Sequence, residues 1–103
     1  MEITPLTVKI ADLPVTALDR EGNVALLLGV DVTLMPRNVS PNQDSVWVST
    51  AYSEGVATFT IAGHQAEVNG TALRVPYEGG VIWARAVDTP EVSVVAIEEI
   101  DVL

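Results

Sequence analysis

Cysteine is absent from the 103-residue chain. That excludes a disulfide framework, thiolate zinc sites and a cysteine nucleophile. A single histidine, His64, rules out an all-histidine metal cluster. Basic residues are few: Lys9, Arg20, Arg37, Arg74 and Arg85 stand against 14 acidic residues, for a net charge of −9. They form no stripe that could neutralise phosphates, so nucleic acid is not an expected partner. Anionic membrane surfaces would repel the chain. No apolar run approaches the ~20 residues needed to span a bilayer. The longest near the front, Val24 to Val30, is broken by Gly29 and followed by Asp31. The opening Met1-Glu2-Ile3-Thr4-Pro5 has neither a basic region nor an apolar core, so no signal peptide is expected. Asn38-Val39-Ser40 and Asn69-Gly70-Thr71 then read as loop chemistry rather than glycosylation sites.

What the chain does have is aliphatic residues. Hydrophobic types make up 49% while aromatics make up 5%, and mean hydropathy is +0.36. Residues 1–103 are the length of one domain. A domain of this size buries only about 60–70% of its chain surface. Some of the apolar excess is therefore expected to face neighbours.

Period-2 alternation dominates, and no stretch makes a convincing helix. Ile3 to Leu13 reads as a strand with Leu6, Val8 and Ile10 inward, stopped or shifted to an edge by Pro14. Val15 to Leu18 continues it, and Asp19 to Asn23 is a turn. Val24 to Met35 reads as a strand with Gly29 at a bulge or close approach. Val30, Val32 and Leu34 face the core; Asp31 and Thr33 face out. Pro36 to Ser45 is a loop of contact-surface type. Strands follow at Val46–Thr50 and Val56–Ile61, the latter with Ala57, Phe59 and Ile61 on one face; Tyr52 to Gly55 turns between them. Asn69-Gly70 predicts a type I′ hairpin pairing Val68 with Thr71, Ala66 with Leu73 and His64 with Val75. After a turn at Pro76–Gly80, Val81–Val87 and Val92–Ile97 form two strands around a corner at Asp88-Thr89-Pro90. Glu98-Glu99 ends the second, and Ile100 to Leu103 adds a short last strand. The sum is an all-β antiparallel β-sandwich, immunoglobulin-like or jelly-roll-like, of about six to eight short strands.

No catalytic centre is legible. His64 lacks a recognisable nucleophile setting and reads as structural or surface. Asp88, Glu91, Glu98, Glu99 and Asp101 are acidic enough for calcium but lack a glycine-spaced loop, and read as a solvated edge. Trp47, Trp83, Tyr52 and Tyr77 are the side chains best suited to anchor a partner or a sugar. Trp83 and Arg85 share one strand face. If Ile82, Ala84 and Ala86 point inward, Trp83 and Arg85 point outward, and both types are enriched at interface hot spots. In the opposite phase Trp83 is core and Ile82 exposed.

Trp83-Ala84-Arg85-Ala86-Val87-Asp88-Thr89-Pro90-Glu91-Val92-Ser93-Val94, with a short last strand, resembles the closing hairpin of small β-sandwich virion proteins of tailed bacteriophages. Gly55-Val56-Ala57-Thr58-Phe59-Thr60-Ile61 and Leu73-Arg74-Val75-Pro76-Tyr77 fit the same style; Glu98-Glu99 stands where a glycine is expected before the last strand. The resemblance implies a structural, non-enzymatic role in the virion, without cofactor or metal. Capsid decoration or a minor capsid position comes first, and a head–tail connector or tail protein second. Partners would be other virion proteins and copies of the chain. Interface candidates are Trp83, Arg85, Trp47, Tyr77, Ile3, Pro5 and Leu103, with Met1–Thr7 and Ile100–Leu103 expected to touch other chains. Rival readings from other classes are a carbohydrate-binding module stacking sugars on Trp47, Trp83 or Tyr77, and a small hydrolase.

Overall fold

Ala57, Phe59 and Ile61 alternate with Val56, Thr58 and Thr60 in the computed structural model, and the first set is buried. This strand, β8 (Val56–Ala62), is the centre of one sheet. On one side it pairs antiparallel with β2 (Val8–Pro14). On the other it meets β7 (Ala51–Ser53), antiparallel, and farther along β9 (Leu73–Arg74), parallel. The second sheet runs β1 (Glu2–Ile3), β11 (Val95–Val102), β10 (Gly80–Ala86), β5 (Val30–Met35), β6 (Val48–Ser49). A separate two-stranded ribbon joins β3 (Ala17–Leu18) to β4 (Val24–Ala25). The structure describes residues 1–18, 21–25, 27–42, 44–87 and 94–103. The corner at Asp88-Thr89-Pro90, the start of the Val92–Ile97 run and part of the Asp19–Asn23 turn lie outside the described residues.

The described chain is all-β, in two mostly antiparallel sheets that share one apolar cluster. The largest fully buried side chains are Ile61, Ile82, Ile100, Val30, Val32 and Val75, five of them on strands of the two sheets and Val75 just past β9. Burying each contributes about 1.5–3 kcal/mol, more than a single hydrogen bond at about 1 kcal/mol. Packing between the sheets therefore dominates the fold. Ile82 and Ala84 are buried while Trp83 and Arg85 are half-buried on the other face, so the outward phase for Trp83 holds.

Five expectations are corrected. First, eleven strand segments among the described residues replace the expected six to eight. The Ile3–Leu13 run splits because Thr4 to Thr7 turns, with Thr7 N–H donating to the Thr4 carbonyl at 3.1 Å. The Val46–Thr50 run shrinks to β6. There the chain changes sheets, and the N–H and Oγ1 of Thr50 both donate to the Val30 carbonyl, at 3.2 and 2.8 Å.

Second, the phase of β2 is inverted: Leu6, Val8 and Ile10 are 70%, 49% and 67% exposed, while Ala11 is buried. Third, Val24–Met35 is not one strand. It divides into β4 and β5, and Gly29 lies between them with its carbonyl accepting from Val87 N–H at 3.1 Å. Thr33 does point away from the core, yet only 4% of it is exposed, because another segment covers it.

Fourth, Asn69-Gly70 makes no hairpin. Leu73 aligns with Ile61 and Arg74 with Ala62, in parallel, so residues 63–72 form a crossover rather than a tight return. Arg74 Nη1 holds that crossover by donating to the carbonyls of Gly63 and Ala66, at 2.9 and 2.8 Å. The two-residue turn with consecutive positive φ is instead Glu54 (52°) and Gly55 (81°), joining β7 to β8. Fifth, Glu98-Glu99 does not end a strand. β11 runs through it, with a bulge where Ile82 pairs with Glu98 but Trp83 pairs with Ala96.

Candidate interaction surfaces

On the outer face of the five-stranded sheet, β10 and β5 set Arg85 directly opposite Asp31 and Trp83 opposite Thr33. Arg85 Nη2 and Nε lie 3.3 and 3.4 Å from Asp31 Oδ2. The Arg85 guanidinium also lies 4.4 Å from the Trp47 ring centroid. Segment 45–47 is drawn over this face: Thr33 Oγ1 donates to the Val46 carbonyl at 2.7 Å, and Ser45 Oγ contacts Met35 Sδ at 3.7 Å. Trp83 Nε1 is fully enclosed and has no acceptor among the described residues. Trp47, Trp83 and Arg85 are thus brought together, but one side of the Trp47 ring is already occupied by a cation.

A second feature is a cleft of about 470 Å³ between Pro36-Arg37 and Pro76 to Gly79. Its floor is stiff. Gly79, at φ +80°, donates to the Pro76 carbonyl at 2.9 Å, and a Cβ on it would run into the Ile100 carbonyl. Arg37 Nη2 donates to the Ile100 carbonyl at 2.9 Å and to Asp101. Tyr77 is 73% exposed here. Its ring meets His64 edge-on at 6.0 Å. His64 Nδ1 is buried without a partner among the described residues. Among the described residues no group of three or more His, Asp or Glu is placed to hold a metal ion.

The remaining candidates fall on the paired chain ends. β1 lies parallel to β11, with Asp101 N–H donating to the Met1 carbonyl and Leu103 N–H to the Ile3 carbonyl, both at 2.8 Å. Ile3 is buried in the chain's own core, Pro5 is half-buried with its carbonyl accepting from Gln65 N–H, and Leu103 is exposed. The Met1 ammonium donates to Glu98 Oε1 at 3.0 Å. Tyr52 donates to the Val15 carbonyl at 2.5 Å and braces the fold from inside.

Sequence reasoning missed the outer face of β2. Val8 and Ile10, with Lys9, Thr60 and Val68, line a shallow trough of about 600 Å³. A signal was present. Apolar residues occupy even positions at Leu6, Val8 and Ile10, then odd positions at Ala11, Leu13 and Val15. An unbulged strand can bury only one of those sets.

No family model, curated protein sequence or solved structure matches the chain.

Proposed function

We propose that the chain is a bacteriophage virion structural protein: a capsid decoration or minor capsid subunit that stabilises the shell by protein–protein contacts. The carrying observation is where the apolar excess lies. The chain exposes 6544 Å², against roughly 5,600 Å² for a compact monomer of 10.9 kDa. Leu6, Ile10, Leu28, Val46, Tyr77 and Leu103 are all exposed within that surface. A surface of this kind is suited to being covered by neighbours. The net charge of −9 favours the outside of a shell, away from packaged DNA. A head–tail connector or tail position is the alternative within the same class.

We read the sandwich as immunoglobulin-like rather than jelly-roll-like. β2, β8 and β7 follow the B–E–D order, β5, β10 and β11 follow C–F–G, and β6 extends the second sheet beyond β5. The contact surface would comprise Tyr77 and Leu103, which are exposed, and the half-buried Trp47, Trp83 and Arg85.

The test is composition of purified phage particles by mass spectrometry, with antibody labelling to place the chain. The expected result is the chain in fixed ratio to the shell protein and label on the outside. Its absence from particles overturns the reading. Selective glycan binding abolished by Tyr77→Ala would replace it with the carbohydrate-binding one, for which the Tyr77 cleft is the site.

A further inference from the structure

β2 ends the four-stranded sheet, with β8 on one side and no strand on the other among the described residues. Two bonds fix which of its backbone groups face β8. Gly63 N–H donates to the Thr7 carbonyl, and Val15 N–H donates to the Gly55 carbonyl, both at 2.8 Å. Hydrogen-bonded and non-bonded positions alternate along an antiparallel pair. The odd positions of β2 are therefore bonded to β8. Val8, Ile10 and Asp12 aim their N–H and C=O groups at the open edge. Their side chains are also exposed, Val8 and Ile10 being apolar.

We propose that this edge pairs with itself: two copies of the chain join antiparallel through β2, with Ile10 on the two-fold axis. The occupant follows from the strand's own symmetry. With Ile10 opposite the partner's Ile10, Val8 meets the partner's Asp12, and Asp12 meets the partner's Val8. Every open donor and acceptor of Val8, Ile10 and Asp12 is matched. Pro14, which has no N–H, falls opposite the partner's Leu6, which lies in a turn where β2 has not begun. Sliding one way sets Val8 against the partner's Pro14 and loses a donor. Sliding the other way draws in the turn at Leu6. β2 itself carries one lysine, Lys9, and one carboxylate, Asp12, with Glu67 bordering the trough beside them, so the edge is far closer to balance than the chain's net charge of −9. The Asp12 carboxylate already accepts from Thr58 Oγ1 at 2.6 Å. The join buries the exposed Leu6, Val8 and Ile10 of both copies. One strand pair falls below the ~1,200 Å² of standard interfaces, so the dimer is weak in dilute solution and strengthened by multiple contacts in an array. The pairing goes beyond the virion reading and does not rest on it, because it is tested on the isolated chain.

The chain has no cysteine, so Ile10→Cys introduces the only thiol. In the proposed register the two Ile10 Cα atoms stand about 5.5 Å apart, within the ~4.4–6.8 Å reach of a disulfide. The two Asp12 positions stand roughly 13 Å apart along the strands. Under mild oxidation, Ile10→Cys is expected to form covalent dimer at least tenfold faster than Asp12→Cys. A mixture of Val8→Cys and Asp12→Cys chains should cross-link to each other in preference to themselves, which reads the same register if Ile10→Cys misfolds. Sedimentation velocity of the unmodified chain should show mass rising with concentration and with salt, as screening relieves repulsion. Ile10→Lys should abolish the rise. Equal oxidation rates for the two single variants, or a native chain that stays monomeric at millimolar concentration, overturns the pairing.

Discussion

Arg85 stacks on Trp47 with its guanidinium 4.4 Å from the ring centroid while also facing Asp31 across the β10–β5 ladder. One cation thus fastens segment 45–47 to the outer face of the sheet. Cation–π contacts contribute about 0.5–2 kcal/mol, and a partly exposed ion pair up to about 1 kcal/mol. Trp47→Ala and Arg85→Ala should each lower stability by about 1–2 kcal/mol, and the double variant should cost less than their sum. The urea midpoints of the four proteins check this; strict additivity would show that the stack contributes nothing.

Ile10 and Ile61 share a residue type but not a role. Ile61 is fully buried on β8, whereas Ile10 is 67% exposed on β2. Ile61→Ala should cost about 2–5 kcal/mol. Ile10→Ala should stay within about 0.5 kcal/mol. Denaturant unfolding of the pair at low protein concentration distinguishes them, and a large loss for Ile10→Ala would restore the opposite phase of β2.

Backbone conformation sets two further effects of opposite sign. Glu54 holds φ 52° in the β7–β8 turn, a region that asparagine tolerates better than most residues. Glu54→Asn should therefore raise stability by about 0.5–1 kcal/mol. Gly70 has φ +96° with open space around it. Gly70→Val should cost about 1–3 kcal/mol through strain alone. Thermal melts of both variants report the signs.

Removing residues 1–5 takes Ile3 out of the core and β1 off β11. The isolated chain should lose about 2–5 kcal/mol, as for deletion of a buried isoleucine. A truncated chain with an unchanged melting temperature would show that β1 is not part of the stable fold.

The sequence carried the sheet interior clearly where one face is apolar and the other is not. Ala57, Phe59 and Ile61 on β8 are buried as their alternation predicts, whereas on β10 the alternation left two phases open and the structure selects the one that buries Ile82 and Ala84. It misled where both parities are apolar, as on β2, because alternation sets a period and not a phase. Asn69-Gly70 failed for a different reason. A local turn preference of under a few kcal/mol lost to the long-range demand that Leu73 lie beside Ile61 and that Val75 be buried. The Glu54-Gly55 turn carries only half of the usual signature, a glycine at the second position. Of the surfaces, the shared face of Trp83 and Arg85 was legible from their spacing. The stacking of Trp47 on Arg85 was not, because it depends on the path of a loop.

The parallel pairing of β1 with β11 has a mechanical consequence. A pull on Met1 against Leu103 runs along the two strands in opposite directions, so the Asp101–Met1 and Leu103–Ile3 bonds are loaded in shear and must give way together. An antiparallel pair tugged from its open end would instead peel, one bond after another. The chain ends therefore form a clamp that resists stretching, with Ile3 and Ile100, both inside the core, as its anchors against slip.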